Sequence, residues 1–347
     1  MREPSFEHLA ALVRRVAPGA GAPLPAAMPG GASPRQFFRF DLGDGVGKVV
    51  AMFVPDAARP DEIQKGGPSA GRWPFLEVRD LLDGHGIRVP RLIAEATEHG
   101  WLLLEDLGDD TIAHFLTRRP EAKRAVYQAA VRDLAGAQRA LAAAPATSIV
   151  RTRAFDADLL RWELDHFREW GLEARGIALD ADDRAAFDAI GARLAERIAS
   201  WPRGFVHRDY QSRNLMVLGD DPASIAWIDF QDALLGPRVY DLVALLSDSY
   251  QEFDRAFIAE RLDEYAAHAG LDAEGRAEVA REFDLVTVQR KLKDAGRFVF
   301  IDRQKGNPSF LPFVEPTIAK ARAALERLSS DDDMRALGAL LARALDR

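Results

Sequence analysis

The sequence predicts an α+β fold of two lobes, a small antiparallel-sheet lobe followed by a larger helical one. Composition shifts along the chain: glycine, proline and short β-type runs crowd the early part, and apolar residues at helical spacing dominate the rest. Size fits the same plan, since 347 residues with 48% hydrophobic content can bury a core large enough for two units or one bilobal one. Two short apolar runs inside the helical part, Leu215–Leu218 and Ile225–Ile228, predict a small hairpin there.

The start, Met1 to Arg15, carries Glu3, Glu7, His8 and arginines with no apolar run behind them, so it is not expected to be a secretory signal. With no apolar stretch of membrane-spanning length, a cytoplasmic location is expected. A net charge of -8 speaks against broad binding to nucleic acid or an anionic membrane, so any anionic ligand needs a local site. The chain has no cysteine, which excludes disulfides, thiolate metal sites and a cysteine nucleophile.

Phe37–Asp41 and Lys48–Val54 read as strands joined by the turn Gly43-Asp44-Gly45-Val46-Gly47, with the glycine-bearing stretch Gly30 to Arg35 before them. Phe75, Val78 and Leu82 share a helical face over Phe75–His85, which Gly84 and Gly86 stop. Trp101–Leu104 suits a buried strand, and Glu105-Asp106-Leu107-Gly108 is the expected crossing between lobes, dividing the chain into 1–105 and 106–347. Beyond it, Tyr127, Val131, Leu134 and Leu141 share one helical face, as do Phe187, Ile190, Leu194 and Ile198. Later helices are expected over Asp241–Ser247, Phe253–His268, Pro316–Leu328 and Met334–Leu345.

The chemistry concentrates in Val206-His207-Arg208-Asp209-Tyr210-Gln211-Ser212-Arg213-Asn214-Leu215, which fits the H-R-D-x-x-x-x-N catalytic loop of kinases. Fifteen positions past Asn214 stand Asp229-Phe230-Gln231. Phosphoryl transfer asks a protein chiefly to position the acceptor and neutralise charge on the moving group. Asp209, beside His207 and Arg208, can accept a hydroxyl proton, while Asn214 and Asp229 can offer oxygens to Mg²⁺ bridging nucleotide phosphates. The two apolar runs framing Asn214 and Asp229 bring both metal ligands to the base of one hairpin.

On these residues the chain resembles the aminoglycoside phosphotransferase-related branch of the kinase superfamily, and within it the anomeric kinases of N-acetylmuramate and N-acetylglucosamine. Further blocks carry the narrower likeness: Ser33 to Arg39, Leu102 to Gly108, Asp229 to Ala233, Gly236 to Val243 and Gln289 to Lys293. The resemblance implies ATP and Mg²⁺ as cofactors and adenine recognition by backbone groups around Glu105 and Leu107. It also gives Asp241 the place of a helix-start aspartate that braces the catalytic loop, although capping alone would put an aspartate there too.

Departures from a protein kinase are equally visible. In place of V-A-I-K the chain reads Val50-Ala51-Met52-Phe53, without the phosphate-holding lysine, and strand alternation puts Lys48 on the face opposite position 53. Arg35 and Arg39 are candidate phosphate contacts in its stead, and equally candidates for solvated surface arginines. Ser33 can offer a hydroxyl and an N–H to phosphate, or simply form a turn. Glu77 matches the kinase ion-pair glutamate but lacks the lysine partner.

Only eleven residues separate Asp229 from Asp241, too few for an activation segment and a peptide platform, so a small-molecule acceptor is expected. Arg290, Lys291, Lys293 and Arg297 place positive charge within eight residues, which favours a sugar acid over a polycationic aminoglycoside. An anomeric hydroxyl is more acidic than an ordinary alcohol, so a carboxylate base suffices for it. Two other readings stay open: an aminoglycoside kinase, and a nucleotide-binding pseudokinase, which the missing lysine favours and the intact Asp209, Asn214 and Asp229 oppose. The histidines form no H-x-x-x-H or H-E-x-x-H pair, so a zinc hydrolase has no support.

Overall fold

The computed structural model describes residues 3–19, 25–28, 34–43, 47–55 and 72–346. Its N-terminal part comprises α1 (Phe6–Val16), β1 (Ala26–Ala27), β2 (Gln36–Asp41), β3 (Lys48–Phe53), α2 (Pro74–Gly84), β4 (Leu92–Ala96) and β5 (Trp101–Glu105). The strands form one antiparallel sheet in the order β1-β2-β3-β5-β4. Strand alternation sends Phe38, Phe40, Val49, Ala51, Phe53, Trp101 and Leu103 to one face, where Leu9, Leu12 and Val13 of α1 cover them. Met52, Leu102 and Leu104 point the other way and join Phe75, Leu76, Val78 and Leu82 of α2 in the main core.

That alternation answers the question of the missing lysine. Phe53 is fully buried on the α1 side, its ring 4.9 Å from Trp101, so it faces away from the cleft. The face shared with α2 carries Met52 instead. Lys48, which does lie on that face by parity, sits exposed at the end of β3 paired with Asp41, next to the pair Val49↔Glu105. Gln36 pairs with Phe53 at the opposite end, and Arg35 enters there.

The C-terminal part holds α3 (Ile112–Arg118), α4 (Lys123–Ala140), α5 (Ala157–His166) and α6 (Ala181–Ala199), then β6 (Arg203–Val206), β7 (Leu215–Val217), β8 (Ile225–Trp227) and β9 (Leu234–Pro237). Helices α7 (Tyr240–Leu246), α8 (Arg255–His268), α9 (Ala273–Lys305), α10 (Val314–Arg327) and α11 (Asp332–Leu345) complete it. The expected hairpin is β7–β8, with Leu215 opposite Trp227, and the four late helices lie within two residues of expectation at either end. Unforeseen are α1, α3, α5, the full extent of α9, and strands β1, β4, β6 and β9. At 33 residues, α9 is about 50 Å long and packs against α5, α7, α8 and α10.

A π-helical turn, Phe167–Leu172, continues α5 and lies against α9. Contact is so close that a Cβ on Gly296 would stand 2.8 Å from the His166 carbonyl oxygen and 2.9 Å from the Phe167 Cα. Backbone cannot yield as a side chain does, so Gly296→Ala is expected to destabilise by about 1–3 kcal/mol. Gly136 in α4 has nothing within 4 Å of its virtual Cβ, so Gly136→Ala is expected to stabilise by roughly 0.4–1 kcal/mol. Urea unfolding of the two variants checks this, and shifts of the same sign would refute the packing described.

Candidate active site

The catalytic loop runs from His207, just after β6, to Asn214, just before β7. Its entry is held by a buried carboxylate in the first turn of α7. Asp241 accepts the His207 N–H at 2.6 Å on one oxygen and the Arg208 N–H at 3.0 Å on the other. Burial pushes the Asp241 carboxyl up to about 7, against the pull of these donors and of Arg290. This grip explains how Arg208 adopts φ 81°, a left-handed conformation that a residue with a Cβ resists. The loop's middle is held likewise: Asp248 accepts from the Ser212 N–H at 3.0 Å and from its hydroxyl.

His207 is fully buried and ties the two halves of the site together. Its Nε2 donates to the Ile228 carbonyl at 3.1 Å, and its Nδ1 accepts the Asp209 N–H at 3.2 Å. Burial lowers its pKa to about 4, so the ring is neutral near pH 7. His207 and Arg208 therefore position the loop, while the Asp209 side chain, 38% exposed, opens to the cleft. The Asn214 side-chain N–H donates to the Asp209 carbonyl at 2.9 Å, which leaves its oxygen for a ligand. Ile228 N–H donates to the Asn214 carbonyl at 3.0 Å, so Asn214 and Asp229 flank one hairpin base.

Asp229 also has a left-handed backbone, φ 64°, and Arg208 is the one other non-glycine residue with positive φ among those described. Phe230 anchors it, fully buried and stacked 5.0 Å from Phe75 of α2. Arg35 reaches across from the start of β2, 2.5 Å from Asp229 Oδ1 and 2.8 Å from the Gln231 side-chain oxygen. Burial raises the Asp229 pKa, but the Arg35 charge and the Arg35 and Gln231 hydrogen bonds outweigh it and hold the carboxyl below its ordinary range.

Arg39 is placed differently from Arg35. It donates to Asp106 at 2.9 Å, Asp109 at 2.7 Å and the Gly108 carbonyl at 3.0 Å, and so braces the crossing between the sheet and the helices. Gly108 turns there with φ 85°. The Glu105 carboxylate is engaged by Arg88 at 2.6 Å and Arg91 at 3.2 Å, and its N–H donates to the Arg91 carbonyl. Leu107 is half-buried beside it. Ser33 lies outside the described residues.

The α9 cations do not form an open basic face. Lys291 and Lys293 converge on Asp294 at 2.8 and 3.1 Å, and Arg290 lies 3.8 Å from the same carboxylate. Burial would raise the Asp294 pKa, yet these three cations hold it far below the carboxylate range. Arg290 is 3% exposed and its Nη2 stands 3.5 Å from Asp209 Oδ1. Its relation to Asp209 bridges some eighty positions in sequence, so no local motif signals it.

Among the described residues no group of three or more histidines, cysteines or acids is arranged around a metal. One amide oxygen and one carboxylate are what Mg²⁺ takes from a protein when phosphates and water complete its shell, and Asn214 and Asp229 fit that donor set.

Known proteins resemble this chain in sequence and in fold. The family model described as "Phosphotransferase enzyme family" matches residues 26–280. The N-acetylmuramate/N-acetylglucosamine kinase of Pseudomonas aeruginosa is 33% identical over 316 residues, 90% of this chain and 86% of that protein. Among solved structures, a Ralstonia eutropha protein provisionally described as an aminoglycoside phosphotransferase superposes with a TM-score of 0.65 at 15% identity, covering 94% and 98% of the two chains. The GDP complex of an aminoglycoside 2'-phosphotransferase gives 0.60 at 13% identity, covering 92% and 98%. These two likenesses establish the fold, α+β and kinase-like.

The depressed pKa of His207 has a measurable consequence. Between about 4 in the folded chain and the ordinary 6.5, the unfolded state binds the extra proton, so the contribution of His207 is full above pH 6.5 and is lost as pH falls toward 4. Comparing urea unfolding of the protein and of His207→Asn isolates this residue. Their stability difference is expected to shrink by about 2 kcal/mol from pH 7 to pH 5, and a difference that does not change with pH would show that the ring is not held neutral.

Proposed function

The chain belongs to the phosphotransferase enzyme family, and on that premise we propose that it moves the γ-phosphoryl group of ATP onto the anomeric hydroxyl of N-acetylmuramate or N-acetylglucosamine. The observation that carries this reading is the Asp209 carboxylate, exposed on a loop whose backbone is fixed on both sides, with Asn214 and Asp229 joined to it through the same hairpin.

Asp209 accepts the hydroxyl proton as the acceptor oxygen bonds to the γ-phosphorus and the bond from that phosphorus to the bridging oxygen breaks, releasing ADP. Asn214 and Asp229 would hold Mg²⁺, which supplies neutralisation of the phosphate charge when bound. Arg35, the cation of the small lobe that already sits on Asp229, takes the place of the strand lysine against the phosphates. Residues 1–105 form the nucleotide-binding lobe, with backbone groups near Glu105 and Leu107 receiving the base, and Arg39 fixes the crossing that carries them. His207 and Arg208 hold the loop in shape. Such a reaction belongs to the cytoplasm, where nucleotide triphosphates are held.

Likeness in sequence to the sugar kinases, and not charge, favours an amino sugar over a polycationic antibiotic. On α9 and around it Arg290, Lys291 and Lys293 are matched by Asp294, Asp209 and Glu163. Lys293 and Asp294 are the partly exposed members, at 14% and 15%.

Incubation with Mg-ATP and separate pools of amino sugars, aminoglycosides and simple alcohols, read by mass spectrometry, tests the reading. N-acetylmuramate or N-acetylglucosamine is expected to gain one phosphoryl group at C1. Asp209→Asn should lower kcat by about a thousandfold or more while nucleotide still binds. Phosphorylation confined to an aminoglycoside would overturn the acceptor, and no transfer in any pool would overturn the enzyme.

A further inference from the structure

Arg290 lies outside the catalytic motif and no role is assigned to it above beyond its share of charge. We propose that Arg290 is a positioning residue for the base, one guanidinium that fixes both the peptide preceding Asp209 and the Asp209 carboxylate. The inference rests on the phosphotransferase reading.

Four contacts define its place. Arg290 Nη1 donates to the Arg208 carbonyl at 2.8 Å, and Nη2 stands 3.5 Å from Asp209 Oδ1. The guanidinium carbon lies 4.5 Å from the centre of the Tyr240 ring, and Nε is 3.8 Å from Asp294 Oδ2. The side chain is buried, and Nε has no hydrogen-bond partner. An arginine buried with an unmet donor is a costly way to stabilise a helix contact, since an apolar side chain would fill the space without that penalty. Its neighbour Gln289 meets Glu163 of α5 at 2.7 Å, which pins this turn of α9 behind the loop.

What Arg290 holds is the strained point of the loop. Arg208 has φ 81°, and its two peptide groups are each gripped by a buried side chain: Asp241 takes the N–H, and Arg290 takes the C=O. Asp209 follows immediately, so the plane of that second peptide sets the direction of its side chain. The separation of 3.5 Å from Oδ1 is longer than a hydrogen bond, so the guanidinium orients the carboxylate without capping the oxygen that must receive a proton. Without Arg290 the Arg208 carbonyl would be buried without its donor, and the peptide would be free to turn.

The test uses the full chain with the acceptor that the wild type phosphorylates. Arg290→Met removes the donors and the charge while keeping much of the volume. Its kcat is expected to fall by about a hundredfold, as for misplacement by about 1 Å, with the acceptor KM and the directly titrated nucleotide Kd within about threefold of wild type. Added guanidinium should restore part of the kcat of Arg290→Ala, and Arg290→Met should cost nothing further in Asp209→Asn. Arg290→Lys, the gentler change, is expected to lose about tenfold in kcat at unchanged nucleotide Kd, and decides the matter if Arg290→Met does not fold. Unchanged kcat in the variants overturns the proposal, as does a loss that guanidinium does not relieve and that falls equally on nucleotide affinity and thermal stability. A wild type that transfers no phosphoryl group defeats the underlying reading instead, and the two failures are told apart by that control.

Discussion

Asp241 is the residue from which the site is built. A carboxylate with no exposure to water is expensive unless its oxygens are met, and here both are met by consecutive backbone N–H groups, those of His207 and Arg208. Those two hydrogen bonds force the chain to bend at Arg208 into a left-handed conformation that costs about 1–2 kcal/mol. The bend turns the next residue, Asp209, out into the cleft while its neighbours stay in the core. Asp209, Asn214 and Asp229 then share one scaffold, because His207 joins the loop to the Ile228 carbonyl and Asn214 accepts the Ile228 N–H just before Asp229.

The small lobe is not a passive lid on this scaffold. Phe230 is stacked on Phe75 of α2, and Arg35 from the start of β2 is paired with Asp229, so the position of Asp229 is defined by contacts from both lobes. A protein kinase brings a small-lobe cation into its cleft by a different route, the lysine of its third strand. Sheet parity explains the change of route. Phe53 is committed to the apolar layer under α1, the cleft face of the strand presents Met52, and the end of the sheet nearest Asp229 is the end where Arg35 enters.

Sequence spacing made the loop, the β7–β8 hairpin and the crossing legible because each depends on neighbours within a few residues. Asp209, Asn214 and Asp229 stand at fixed offsets around one loop and one hairpin, and an offset is what a sequence displays. The α9 contribution was not legible in this way. Arg290 and Lys293 look like a basic helix face, and only packing shows them turned inward toward Asp294 and Asp209. Helix α1 had a readable signal, Leu9, Leu12 and Val13 at helical spacing, but its role as the outer cover of the sheet depends on strand faces that no local pattern reveals. Arg35 and Arg39 were indistinguishable as two cations on neighbouring turns of chain. Their partners, Asp229 for one and Asp106 with Asp109 for the other, separate them.

The short interval between Asp229 and Asp241 then acquires a structural meaning. It is taken up by β9, whose Leu234 pairs with Val206 at the doorstep of the catalytic loop, and whose Leu235 carbonyl accepts the Phe155 N–H at 2.8 Å. A segment paired on both sides is tied down by its own hydrogen bonds, unlike an activation segment that passes between ordered and disordered states. Selection must instead come from the helices that face the cleft. α9 runs past Asp209 with its cations, α5 holds that stretch of α9 through Glu163 and Gln289, and Gly296 lets the two approach at backbone distance. An acceptor that reaches Asp209 is therefore bounded by rigid helix faces of fixed charge, which is a geometry suited to a small polar molecule and not to an extended peptide.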